Sequence, residues 1–327
     1  MRGEIRKSLA VCVCAILFSM QSMAAMPTVS GVTARQRYPW NGKIDIEVTF
    51  RCEPANMSNI EFSLVATNAA TRTEIPIVHI AMNGNDFGSG SVWTRKYIWD
   101  ASEDVGNVKV DDILLTVDVS LGIQLWDNGP RWSKYNVGAD KPEDYGCYFW
   151  WGDKVGYKRK GSSWNAVDGS KSGFSFSIDN CSTYYKTVSS LKSAGYIDSS
   201  KNLVPMYDAA RAHLGPPWRM PTEAELSALK TNCDIEWIQR NSVKGLLVKG
   251  RGAHSTKSIF LPAAGFGNAT ITGDVGSFGL YWSSTAHSVN TWDNSDAKVL
   301  QFNSDNTRMS IEERNYGLPV RALQTTD

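Results

Sequence analysis

Residues 43–50 alternate strictly, with apolar Ile44, Ile46, Val48 and Phe50 set between polar Lys43, Asp45, Glu47 and Thr49. A period of two gives one dry face and one wet face, which predicts a half-buried β-strand. Strand-like runs follow at 60–67, 75–81, 92–99 and 113–119, parted by the turn formers Asn56, Asn83-Gly84-Asn85 and Gly88-Ser89-Gly90. Short strands without a helical period predict an antiparallel β-sandwich of the Ig or FnIII type over residues 25–119.

Beyond residue 120 the pattern changes. Nine of the 12 tryptophans lie there, from Trp126 to Trp292. Two helices are predicted. One covers 208–214 and is stopped by Gly215-Pro216-Pro217; the other covers 222–232 and opens on the capping sequence Thr222-Glu223-Ala224-Glu225. Short strands are predicted at 259–261, 280–283, 299–302 and 318–323, with surface loops between them. The stretch 152–182 is polar with few apolar anchors and reads as a long insertion. No repeat of fixed period is present.

The first segment has the layout of a secretory signal: Arg2, Arg6 and Lys7, then an apolar run over 9–18, then small residues around Ser22 and Ala24. That run is too short to cross a bilayer, and no later one approaches the length needed. With residues 1–24 as a cleaved leader, the expectation is a soluble chain that is secreted or held in the cell envelope. Lipidation at Cys12 is the competing reading, disfavoured by the bulky Val11. The 34 basic and 33 acidic residues give a net charge of +1, which excludes the large basic face that nucleic-acid binding needs. Removing the leader leaves Cys52, Cys147, Cys181 and Cys233 in an oxidising compartment. Three pairings are open, no CxxC spacing is present, and the simplest expectation is one disulfide or none with the other thiols buried.

A series of motifs runs in order through the second part: Asn136-Val137-Gly138-Ala139, Pro142-Glu143-Asp144-Tyr145-Gly146, Trp151-Gly152-Asp153, Asp208-Ala209-Ala210-Arg211, Pro217-Trp218-Arg219-Met220-Pro221-Thr222, Phe260-Leu261-Pro262-Ala263-Ala264-Gly265, Tyr281-Trp282-Ser283-Ser284 and Tyr316-Gly317-Leu318-Pro319-Val320-Arg321. This set resembles the Fibrobacter succinogenes major paralogous domain of exported bacterial proteins, over about 120–324. The resemblance implies a C-type-lectin-like mixed α/β domain with long loops over 120–327, in a superfamily shared with formylglycine-generating enzymes. The segment 34–42 resembles an all-β module that precedes such domains. Together these give an α+β chain, with no reaction implied.

The residues offer little to catalysis. No cysteine follows Cys233, so the late thiol pair that would hold copper in a formylglycine-generating oxidase is missing. His79, His213, His254 and His287 are scattered, and no HExxH, GxSxG or GxxxxGK[ST] motif occurs. No catalytic or metal residue is therefore assigned. Arg219 is expected to bond backbone carbonyls of a tight loop, and Trp151, Trp218 and Trp282 are expected in the core.

Binding is the better-supported chemistry. The loop 286–298 carries His287, Asn290, Trp292, Asp293, Asn294 and Asp296, and the next turn adds Asp305, Arg308 and Glu312. An exposed indole among amides and carboxylates suits a sugar ring or a protein side chain, and the late loops are where related receptor domains place their ligand surface. The plain alternative is a solvated loop whose Trp292 packs on its own domain. Trp292-Asp293-Asn294 inverts the Trp-Asn-Asp of calcium-dependent lectins and lacks their Glu-Pro-Asn, so a calcium ion is the weaker reading and no other cofactor is expected. The expected function is that of a non-catalytic binding protein with a glycan or protein ligand. The alternatives are a structural or adhesive surface component and, behind it, a secreted enzyme acting on polysaccharide or protein.

Overall fold

The computed structural model describes residues 26–287 and 295–324; the expected leader lies outside them. Strands β1 (Thr28–Gln36), β2 (Lys43–Arg51), β3 (Ile60–Asn68), β4 (Glu74–Ile75), β5 (Ile80–Met82), β6 (Phe87–Ser89) and β7 (Val92–Asp100), a one-turn helix α1 (Ala101–Val105) and strand β8 (Ile113–Leu121) open the chain. They form two antiparallel sheets, one ordered β1-β2-β7-β5 with β6 also paired to β7, the other β4-β3-β8. The alternation read from the sequence sets their packing. Ile44, Ile46 and Val48 meet Ala66, Trp99 and Val117 in one buried cluster between the sheets.

The run at 75–81 is not one strand. Pro76 has no N–H to give a ladder, so β4 ends at Ile75 and β5 begins at Ile80. The backbone between them bonds a side chain: Asp104 accepts the N–H groups of Val78 (2.7 Å) and His79 (3.1 Å), and the Trp99 indole N–H (2.8 Å). Burial works against the charge on Asp104, yet these donors hold its pKa down at about 2.

The second part is also built from small antiparallel sheets. Its elements are β9 (Ile123–Gln124), β10 (Arg131–Trp132), β11 (Tyr157–Lys160), β12 (Ser163–Ala166), the helices α2 (Val188–Ser193), α3 (Ala209–Leu214) and α4 (Glu223–Asn232), then β13 (Asp234–Arg240), β14 (Val243–Lys249), β15 (Ser258–Pro262), β16 (Phe266–Asn268), β17 (Ile271–Gly273), β18 (Gly279–Ala286), β19 (Asp296–Phe302), β20 (Thr307–Glu313) and β21 (Leu323–Gln324). The three-stranded sheets are ordered β21-β10-β9, β13-β14-β15 and β18-β19-β20. The chain is thus mostly antiparallel β-structure with few helices. Among the described residues no helix is long and apolar enough to cross a membrane.

Both expected helices form, and their caps show why. Asp208 accepts the N–H of Arg211 at 2.9 Å at the start of α3. At α4 the Thr222 hydroxyl accepts the N–H of Glu225 while the Glu225 carboxylate accepts the N–H of Thr222, a complete capping box. Helix α2 carries one buried residue, Leu191, too little to leave a periodic signal. Strands β13, β14 and β20 occupy ground expected to be loop.

The stretch 152–182 corrects the insertion reading. It forms the β11-β12 hairpin and a core of its own in which Tyr157, Trp164, Phe174 and Phe176 are buried; Tyr157 stacks on Phe174 with centroids 3.9 Å apart. Four aromatic rings fill the volume of many aliphatic residues, so counting apolar positions understates the core. The stretch 318–323 is not one strand: Leu323 pairs opposite Trp132 and Leu318 makes an isolated bridge with Phe149, while Pro319 has no N–H to continue the ladder between them. It is buried throughout, with Leu318, Val320 and Arg321 at 0–1 % exposure.

Two interior arginines take the role assigned to Arg219. Arg321 donates to the carbonyls of Ser133, Lys134 and Phe260 and to Asn136 Oδ1. Arg314 donates to the carbonyls of Thr183, Lys186 and Asp296, and its guanidinium lies 5.1 Å from the Trp151 ring. Arg219 bonds one carbonyl, that of Met220, and spends its fork on Glu225.

The first two sheets and the second part share a continuous core. Phe50, Cys52, Ile60 and Leu121 pack in the cluster that holds Trp151, Trp218, Trp282, Leu318 and Val320. Buried Asn59 accepts the N–H of Lys134 through its side chain (3.0 Å) and that of Gly122 through its carbonyl (2.7 Å).

Candidate ligand-binding site

Nine residues were expected to form a ligand surface, and Asn290, Trp292, Asp293 and Asn294 lie outside the described residues. The other five fall at the two ends of one hairpin. Asp296 opens β19 opposite Glu313, so Asp296, Glu312 and His287 share one end. Asp305 lies in the turn between Phe302 and Thr307, with Arg308 just beyond it, at the other end. Seven residues at about 3.4 Å each put the two groups ~20 Å apart.

At the first end, Glu312 is a half-buried carboxyl. Burial, then the negative charges of Asp296 and Glu313, push its pKa up to about 7. Burial and then the Lys298 charge pull His287 below its ordinary value. A carboxyl raised in the folded chain binds its proton more tightly there than in the unfolded chain, so its contribution to stability is complete below the unfolded pKa and is lost as pH rises through the folded one. Stability should therefore fall between about pH 4.5 and pH 7 by on the order of 1–3 kcal/mol. Urea unfolding of Glu312→Gln at pH 5 and pH 8 checks this, since the variant should lose most of that dependence.

At the other end the turn is part of a formed cleft of about 490 Å³. Its floor is the C-terminal end of α4 and strand β13, and its far wall is the turn 303–306. Trp237 is half-buried on β13, its ring edge-on to Phe302 at 6.3 Å. Its indole N–H has no partner among the described residues. The turn is rigid because the Asn303 side-chain oxygen accepts the N–H groups of Asp305 (2.9 Å) and Asn306 (2.8 Å), and Ser304 Oγ donates to Asp305 (3.0 Å). Lys230 Nζ ties α4 to this turn through the Thr307 carbonyl at 3.0 Å.

Arg251 closes the near side. Its Nη1 and Nη2 reach the carbonyls of Thr231 (2.9 Å) and Cys233 (2.7 Å) past the end of α4, and its Nε bonds Asp234 at 2.7 Å. A cation at the carbonyl end of a helix is favourable. Arg308 stands beside the turn, held by Gln301 at 3.1 Å. The cleft is thus lined by a half-buried indole beside fixed amides, a hydroxyl and carboxylates.

Its one thiol is not reactive. Burial pushes Cys233 up to about 11, as it does Cys52 and Cys147, and it raises Cys181 too. All four are buried and free of disulfides. Among the described residues no cluster of three His, Cys, Asp or Glu side chains is arranged to hold a metal.

Trp237 and Asn303 were absent from the expected surface. Trp237 could have been found, because Ile235 and Trp237 alternate with Asp234 and Glu236, the mark of a strand that carries its indole on one face. Comparison of the chain with protein families, curated proteins and solved structures gives no match.

Proposed function

We propose that this chain is an exported binding protein whose second part, a lectin-like domain of the Fibrobacter succinogenes major paralogous type, holds a glycan in the Trp237 cleft. The first two sheets then act as an Ig-like stalk. The observation that carries this reading is the union of a half-buried indole with the rigid turn 303–306 around a cleft of about 490 Å³. A sugar has apolar C–H faces and polar edges, and the cleft offers the complement of each. The motif series and the leader-like first segment support export to the cell envelope or beyond it.

A glycan array with the chain lacking residues 1–24 tests the proposal, followed by titration of the best hit against intrinsic tryptophan fluorescence. Trp237→Ala should weaken that hit by about tenfold to a hundredfold, since stacking and desolvation at such a ring contribute about 1–3 kcal/mol. Asp305→Asn and Asn306→Ala should each weaken it several-fold. Hits that are unchanged by all three variants would remove this cleft from the account.

A further inference from the structure

A second concavity, of about 430 Å³, lies where the first two sheets meet the second part. One wall is an outer face of β3 and β8. Glu61 is directly opposite Ser120 and Ser63 directly opposite Asp118, so all four stand on the same side of that sheet. The other wall comes from β9, β10 and the turn before β15, and it brings Arg131 and Lys257. Phe62 and Val119 alternate with Glu61, Ser63, Asp118 and Ser120, so their side chains point to the other face of the sheet and they offer only backbone here; the apolar side chain of the lining is Ile123.

The two walls carry opposite charge, and the bonds between them are few. Arg131 Nη1 donates to Ser120 Oγ at 3.0 Å. Glu61 is taken by Lys134 at 2.6 Å and lies 3.8 Å from Lys257. His254 is already engaged, by the Gln124 carbonyl and Asp127. Asp118 makes no hydrogen bond or ion pair with any described residue. Arg131 has five donors and uses one of them. The corner therefore holds an unspent carboxylate on one side and an incompletely used guanidinium on the other.

We propose that this corner binds a small zwitterion with an aliphatic side chain, a free amino acid or a short peptide. Its carboxylate pairs with Arg131 and Lys257, its ammonium with Asp118, and its side chain covers Ile123. A plain anion would meet Asp118 and Glu61, and a plain cation would meet Arg131 and Lys257, so each would be repelled by one wall. The volume is that of ordinary small-molecule sites. The site is independent of the glycan cleft, and a ligand touching both walls stabilises the junction between them.

The test is thermal unfolding of the chain lacking residues 1–24, with leucine, leucyl-leucine, isovalerate (carboxylate only) and isoamylamine (ammonium only), each up to about 10 mM. A ligand that binds only the folded chain raises the melting temperature with its concentration. Leucine or leucyl-leucine should raise it, and the stronger of the two identifies the source, while isovalerate and isoamylamine should be at least tenfold weaker. Asp118→Asn, a change at an exposed carboxylate, should fold normally and lose at least tenfold in apparent affinity; Arg131→Gln should lose as much. No shift with either zwitterion, an equal shift with isovalerate or isoamylamine, or an undiminished response in Asp118→Asn would each overturn the proposal.

Discussion

Replacing Arg321 by methionine is expected to lower the unfolding free energy by about 3–5 kcal/mol, close to the whole stability of many domains. The side chain is fully buried, and no carboxylate pairs with it among the described residues. It is held by Asn136 Oδ1 (3.1 Å) and by the carbonyls of Ser133 (3.0 Å), Lys134 (2.6 Å) and Phe260 (2.6 Å). Burial pulls its pKa down to about 10, so it stays charged at neutral pH. Methionine fills much of the volume but leaves these four acceptors without a donor in a dry interior, at about 1–3 kcal/mol each before relaxation. Arg219→Met is the control: its partner Glu225 is partly solvated, with both side chains 23–28 % exposed, so the loss should be about 1 kcal/mol. Urea unfolding followed by far-UV circular dichroism measures both. A cost below about 1 kcal/mol for Arg321→Met would mean that the segments around 133, 260 and 321 are not held together by this guanidinium.

The motif residues of the second part are, on this account, mostly structural. Asn136 donates to the Tyr145 carbonyl and to Tyr281 Oη while it accepts from Arg321. Trp151 donates to the Ser283 carbonyl and Trp282 to the Phe149 carbonyl. Motif residues bonded in this way specify a frame. Trp237 and Asn303 belong to no motif, and Asp305 was expected at the surface without them.

What was legible follows from locality. The β2 alternation and the Thr222–Glu225 capping box are written within a few residues, and they form as expected. The core tryptophans were legible too, because an indole flanked by strand residues has few other places to go. Non-local placement was not legible. Nothing near Arg321 says that Phe260, 61 residues away, supplies one of its acceptors. The five described residues of the expected surface are close in sequence, yet β19 and β20 carry them to opposite ends, because a strand separates its two ends by its full length. Aromatic economy hid the hairpin core at 157–176, where few but large side chains replace a periodic apolar face.

Trp218→Ala is expected to cost about 3–5 kcal/mol and to uncouple the first two sheets from the rest. Trp218 is fully buried in the shared cluster, and its indole N–H donates to Asn56 Oδ1 at 3.0 Å across the junction. The same ring fixes the backbone link. At Gly122, between β8 and β9, a Cβ would lie 2.9 Å from the far edge of the Trp218 ring and 2.7 Å from the Trp132 carbonyl oxygen, and φ is +77°. Glycine is therefore required at the joint both by its left-handed backbone and by the closeness of the indole. Truncation to alanine opens a large cavity, leaves buried Asn56 without its donor, and removes the wall against which Gly122 turns. Trp218→Phe keeps much of the volume and loses only the N–H, so its cost should be about 1–2 kcal/mol. Differential scanning calorimetry separates the outcomes: in Trp218→Ala the single transition should split, with residues 26–121 melting apart from the remainder, whereas Trp218→Phe should keep one transition. The Trp237 cleft is built from α4, β13 and the 303–306 turn, none of which gives a residue to the core cluster around Trp218, so the glycan binding proposed for that cleft should survive at low temperature in both variants. A single unshifted transition in Trp218→Ala would show that the two parts are joined by something other than this indole.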